Sequence, residues 1–226
     1  MMEELHKDRE QLEERYFRFL DNGGIRHLKR PNAKFPAYVT TEIKTKRGNR
    51  YICYFLFRKR GEVFNQKALF SYDALMETKE GLACVQIAYS MKHQREILYI
   101  YRPHVFKRYK ERIGLELEGI ELIKYFHNRC CNTILHDNYK HKEGDMENDL
   151  MLTVTDGALF GTKSDIDGCV CYTINTFIAN DTMQDGYKSK FNSRHNEAIE
   201  ESKDDYLYML NCKNTKYRFD YIMKRE

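Results

Sequence analysis

Ten residues, Pro103-His104-Val105-Phe106-Lys107-Arg108-Tyr109-Lys110-Glu111-Arg112, hold the chain's most specific chemical pattern. On a helix turning about 100° per residue, His104, Arg108 and Arg112 fall within about 80° of one another, while Val105, Phe106, Tyr109 and Ile113 cover an adjoining apolar face. An imidazole moves protons near neutral pH, and guanidinium groups bind phosphate through paired donors. Metal-free RNA cleavage needs a base for the 2′-hydroxyl, a cation for the extra phosphate charge and an acid for the leaving oxygen. His104 fits the first or third role, and Arg108 and Arg112 fit the second. The same pattern also describes an amphipathic helix with a charged outer face, and the sequence leaves both readings open.

A local excess of positive charge surrounds the pattern. From Lys92 to Arg112 there are seven basic residues (Lys92, Arg95, Arg102, Lys107, Arg108, Lys110, Arg112) against Glu96 and Glu111. Such a cluster can meet a phosphate backbone or form a solvated face. A complement could come from the segment Cys169–Ile178. Strand alternation there puts Val170, Tyr172, Ile174, Thr176 and Ile178 on one face, so the hydroxyls of Tyr172 and Thr176 would project from an apolar surface. They could meet the His104/Arg108/Arg112 stripe or bond backbone within a core.

These residues need elements to position them. Leu5, Leu12, Tyr16, Phe19 and Leu20 predict a helix over 3–22, stopped by Gly23-Gly24. Residues 37–44 and 50–57 predict a hairpin turning at Lys46-Arg47-Gly48-Asn49. A short helix is expected near 68–78, and strands at 82–89 and 96–101. Pro103 and Gly114 bound the helix carrying the pattern, and a second helix is expected over 118–129. The polar stretch 138–148 reads as a loop. Residues 150–155 and 158–162 flank Asp156-Gly157, which predicts a type I′ turn, and 169–178 adds a third antiparallel strand. From Asn180 onward the chain looks helical and highly charged. The expected fold is α+β: a small antiparallel sheet packed with helices and flanked by N- and C-terminal amphipathic helices. The expected divisions are an N-terminal helix at 1–24, an α+β core at 35–180 and a C-terminal helical extension at 181–226.

The elements His104-x3-Arg108-x3-Arg112, the strand pair around Asp156-Gly157, and Tyr172-Thr173-Ile174-Asn175-Thr176-Phe177-Ile178 together resemble bacterial toxin-like ribonucleases of the barnase, EndoU and colicin nuclease type. The stretch is also similar to uncharacterised bacterial proteins with a Pro-His-x3-Arg-Tyr-x2-Arg helix followed by a Thr-Phe-Ile strand. The likeness covers about residues 95–185. It implies helices before a small antiparallel sheet, and a metal-independent site of His, Arg and Ser/Thr or Tyr. The chain departs from that pattern in offering no clearly placed second catalytic histidine.

Composition narrows the remaining classes. The chain has 226 residues, 42% hydrophobic and 32% charged, with a net charge of +4, which describes a globular protein with room for a core. No apolar run reaches membrane-spanning length. The charged N-terminus and seven cysteines without framework spacing point to the cytoplasm and reduced thiols. His127, Cys130, Cys131, His136 and His141 gather soft-metal ligands, but the spacing H-x2-C-C-x4-H-x4-H fits no common zinc finger, so core cysteines and solvent histidines are the preferred reading and no cofactor is expected. Walker, dinucleotide-binding and Gly-x-Ser-x-Gly motifs are absent. Three functions remain: a nucleic-acid-associated protein, from a bacterium or mobile element, using the basic cluster; a metal-independent endoribonuclease; and a non-catalytic interaction module whose terminal helices, through Leu12, Tyr16 and Leu20, bind a protein partner.

Overall fold

The apolar spacing near the N-terminus produces α1, Met2–Asp21, and Leu5, Leu12, Tyr16 and Leu20 are all buried along it. This is a computed structural model, and it describes residues 2–35, 37–57, 59–66, 68–90, 95–130, 134–136, 149–166 and 169–182. The described chain forms two compact units that divide between Leu75 and Met76. In the first unit, α1 lies over β1 (Ala37–Lys44), β2 (Arg50–Phe57) and β3 (Leu69–Thr78, which runs across the division). The strands pair antiparallel in the order β1-β2-β3. Aromatic rings join helix to sheet: Tyr16 and Phe19 stack on Phe55 with centroids 5.4 and 4.9 Å away. The apolar stripe, for which recruitment of a partner helix is one reading, is occupied by the protein's own sheet.

A polar residue sits within that stripe. Asp8 is fully buried, and its Oδ2 accepts hydrogen bonds from Tyr51 Oη (2.8 Å), Asn49 Nδ2 (2.7 Å) and Thr45 Oγ1 (3.2 Å). Three donors on one oxygen offset the desolvation of the carboxylate. They also tie α1 to the β1–β2 turn, which lies at the expected residues, with Gly48 at φ +91. Burial, reinforced by the Asp8 charge, pushes the Tyr51 phenol well above its usual range. The helix expected near 68–78 is instead β3, because its pairing with β2 outweighs the helical preference of its Ala, Leu, Met and Glu. A five-residue helix, α2 (Arg60–Phe64), joins β2 to β3.

The second unit is built on β4 (Gly81–Ser90), β5 (Arg95–Tyr101), β6 (Ile134–His136), β7 (Asp149–Val154), β8 (Gly157–Ile166) and β9 (Cys169–Ala179). Helices α3 (Pro103–Ile113) and α4 (Gly119–Arg129) lie between β5 and β6 in sequence. The strand order is β4-β5-β9-β8-β7-β6. Strands β7, β8 and β9 form the expected antiparallel meander, but β9 inserts beside β5 in parallel register, Ile97 opposite Val170 and Tyr101 opposite Ile174. The α+β class stands, and the small antiparallel sheet does not: this unit alone has six strands in a mixed sheet, and three more strands form the first. Local turn signals specify hairpins only. A parallel neighbour needs a long crossover, here the segment carrying both helices, and leaves no short-range mark.

Two features of the meander differ from expectation. Val154 pairs with Gly157, so the turn residues are Thr155 and Asp156, and neither has positive φ. Gly157 serves close approach: a Cβ there would lie 2.0 Å from the Ile178 carbonyl oxygen. Between Phe160 and Gly161 the β8–β9 register shifts, leaving Asn175 as an extra residue on β9. Of the expected C-terminal helical extension, residues beyond Thr182 lie outside the described residues, as does the whole of the loop expected at 138–148.

Candidate functional site

Helix α3 starts where β5 ends. The Arg102 backbone N–H donates to the Ile174 carbonyl (3.1 Å), tying the helix entry to β9. Pro103 occupies the first turn, where its missing N–H costs nothing, and Gly114 closes the helix in the left-handed conformation at φ +71. Val105, Phe106 and Tyr109 are buried. Their aromatic rings join those of α4 and β9: Phe106 and Tyr109 meet Phe126 edge-on at 5.4 and 4.9 Å, and Tyr109 meets Phe177 at 5.0 Å. Each such pair adds roughly 0.5–1.5 kcal/mol beyond its buried area. The helix is thus a firmly held platform whose outer face is fixed by its inner one.

That outer face presents His104, Lys107, Arg108 and Glu111, all exposed, with exposed Arg102 at the helix entry. Arg108 Nε lies 3.3 Å from His104 Nε2, and its Nη1 lies 3.3 Å from Glu111 Oε2. Lys110 turns aside to Glu118 at 2.6 Å, a contact that holds the Glu118 carboxyl below its usual range. Arg112 sits at the border with the sheet and donates to the Phe177 carbonyl at 2.5 Å, so one of its donors fixes α3 to β9. The structure therefore brings His104 and Arg108 together and gives Arg112 a packing contact. Arg95 opens β5, and Lys92 lies outside the described residues.

The extra residue at Asn175 changes what β9 can offer. Tyr172 and Ile174 lie opposite Tyr99 and Tyr101, on the face where Tyr101 meets Phe106 and Phe126. Beyond the bulge the parity is reversed, so Phe177 faces the helices, while Ile178 packs with the Met151–Ala158 group. Thr176, in step with Ile178, points away from α3. The single face expected for Tyr172 and Thr176 is thus split by one inserted residue. Tyr172 itself is buried, its ring 5.2 Å from that of Tyr99.

The chain was compared with protein-family models, curated proteins and solved structures, and none of the three comparisons gives a match. Its functional reading rests on its own residues.

Two polar constellations in this unit were not foreseen. Asp156 accepts from Tyr109 Oη (2.7 Å) and from Arg129 Nε (2.5 Å), while Thr155 Oγ1 donates to the Arg129 carbonyl and Asn180 donates to both turn carbonyls. The β7–β8 turn is thereby clamped to α3, α4 and the end of β9. Burial, with the neighbouring Cys130 thiol and the Asp156 hydrogen bond, drives the Tyr109 phenol far above its usual range. The hydrogen bond that Arg129 donates to Asp156 raises the guanidinium in turn, so its charge is permanent. In the second constellation, buried His127 lies 3.4 Å from Cys84 Sγ through Nε2 and 3.2 Å from Gln86 Nε2 through Nδ1. Partners 41 and 43 residues away leave no spacing motif. Of the five clustered histidines and cysteines, Cys130 is buried at the end of α4, His136 ends β6, and Cys131 and His141 lie outside the described residues.

Proposed function

We propose that this protein associates with nucleic acid through the outer face of α3. The observation that supports this reading is the joint exposure of Arg102, His104, Lys107 and Arg108 on a helix whose inner face is locked by aromatic packing. Three permanent cations against the single carboxylate of Glu111 give the face a positive balance, and phosphate contacts position a strand without reading its sequence. No helix among the described residues is long and apolar enough to cross a membrane. A cytoplasmic location goes with this proposal.

The test is fluorescence anisotropy with a labelled single-stranded RNA and a labelled DNA duplex across a salt series. Binding should weaken steeply with salt, and Arg102→Ala, Lys107→Ala and Arg108→Ala together should flatten the log–log slope by nearly one unit per lost phosphate contact. An unchanged slope in the triple variant would remove α3 as the interface.

The contact between Arg108 Nε and His104 Nε2 favours a second reading, a metal-independent endoribonuclease in which His104 moves the proton and Arg108 holds the phosphate. Chelator-treated protein should then cut RNA, and His104→Ala should abolish cutting while leaving salt-sensitive binding intact. Cleavage that persists in His104→Ala, Arg108→Ala would exclude it.

A further inference from the structure

The first unit carries a feature unrelated to α3. Strand β1 is at the edge of its sheet, paired with β2 on one side, and no strand lies on its other side among the described residues. Beside it opens a shallow trough of about 340 Å³ lined by Arg15, Arg18 and Phe19 of α1 and by Thr41 and Ile43 of β1. Thr41 and Ile43 are two apart, so both point to the face that α1 covers. Arg15, Arg18 and Phe19 are three and four apart on the helix, which places them over that same strand edge.

The trough has a fixed floor and a charged rim. Phe19 is stacked on Phe55 at 4.9 Å, and a Cβ at Gly24 would come within 2.4 Å of its ring, so the phenyl has little room to move. Ile43 is buried beneath it and Thr41 half-buried. Arg15 and Arg18 are both exposed; Arg18 also holds Glu14 at 2.5 Å. An edge strand offers a row of backbone donors and acceptors, and an adjoining pocket selects alternate side chains of whatever strand is added. Two guanidinium groups above an apolar floor select carboxylates that alternate with apolar side chains.

We propose that β1 and this trough form a docking site for an extended acidic peptide of a protein partner, added antiparallel or parallel to β1. Its residues at i and i+2 place an apolar side chain against Phe19 and Ile43 and a carboxylate against Arg15 and Arg18. The side chains between them face the opposite side of the sheet and are free to vary. The site uses the outer rim of α1, not the buried Leu12/Tyr16/Leu20 stripe.

The probe is a fluorescein-labelled peptide of two Val-Thr-Asp-Thr repeats, which presents valine and aspartate alternately on one face. A matched peptide with lysine for aspartate controls for charge, and one with alternate backbone amides methylated controls for strand pairing. The parent chain should bind the aspartate peptide saturably and both control peptides at least tenfold more weakly. Arg15→Glu, Arg18→Glu should lose at least tenfold in affinity while keeping the parent's circular dichroism and melting midpoint, and Arg15→Ala, Arg18→Ala should lose less. No saturable binding by the parent, or equal binding by the parent and the charge-reversed variant, overturns the proposal. So does sedimentation showing a parent dimer that the charge reversal dissociates, because the edge would then belong to a second copy.

Discussion

Replacing Asp156 by alanine should test the clamp that holds α3 to the β7–β8 turn. The substitution removes two contacts at once: the 2.7 Å hydrogen bond from Tyr109 and the 2.5 Å ion pair with Arg129. Tyr109 is fully buried, so its hydroxyl would be left without this acceptor, at about 1–3 kcal/mol. Arg129 is 37% exposed and can turn to water, so its share is held to roughly 0.5–1 kcal/mol. The total, about 1.5–4 kcal/mol, corresponds to a fall in melting midpoint of roughly 3–16 °C for a chain of this size. Thermal and urea unfolding of Asp156→Ala, Tyr109→Phe and the double variant complete the cycle. Tyr109→Phe alone should cost about 1 kcal/mol. In the Asp156→Ala background it should cost almost nothing, because the hydroxyl it removes is already without this acceptor. A loss below about 0.5 kcal/mol for Asp156→Ala, or full additivity in the double variant, would refute the argument that the turn is held through this carboxylate.

Two further outcomes follow from geometry and ionisation. Gly161→Ala places a Cβ 2.0 Å from the Thr173 carbonyl oxygen, a backbone atom that can yield only by disturbing the β8–β9 ladder; denaturant unfolding should show a loss of about 1–3 kcal/mol, and a neutral result would mean the bulge absorbs the methyl group. Stability should also decline in alkali. The Tyr51 and Tyr109 phenols are raised by burial and Cys53 is pushed up to about 12, so these groups stay protonated in the folded chain while the unfolded chain ionises. Their contribution is intact below the ordinary thiol and phenol values of roughly 8.5–10 and is lost as pH rises from there towards the folded values. Urea midpoints at rising pH should fall less steeply in Tyr51→Phe than in the parent; equal slopes would show that Tyr51 ionises as freely in the folded chain as in the unfolded one.

What the sequence shows most clearly is local. Pro103 and Gly114 bound α3, the Lys46–Asn49 turn marks a hairpin, the Asp156-Gly157 pair marks another with its turn one residue out, and the α1 stripe names its buried residues apart from Asp8. Each of these depends on neighbours within a few positions. The rest depends on distant ones. Residues 68–78 have helix-forming side chains, and only pairing with β2 makes them a strand. One inserted residue at Asn175 separates Tyr172 from Thr176, and only weak residue-type signals mark it, an Asn inside β9 and Gly161 across the register shift, neither of which says where the parity changes. Asp156 reads as a turn residue, and its second role needs Tyr109, 47 positions earlier, to be folded against it. The outer stripe of α3 was visible because helical periodicity is local. Its separation from Arg112 was not, because the Phe177 carbonyl that takes that guanidinium is 65 residues away.

The insertion of β9 between β5 and β8 sets a timetable for folding. Ile97 and Val170 are roughly 70 residues apart, so the strand that completes the side of β5 away from β4 is made long after β5 itself. At a synthesis rate of about 5–20 residues per second, the β4–β5 hairpin waits several seconds with one apolar edge unpaired. Loop-closure entropy adds to the delay, since contacts this distant must be assembled before they return any stabilisation. Folding of the second unit should therefore be slow for its size and sensitive to anything that occupies the open edge of β5 first. During that interval α3 and α4 can cover one face of the hairpin but cannot protect its edge, whose unpaired backbone donors and acceptors stay open to non-native strand pairing until β9 arrives.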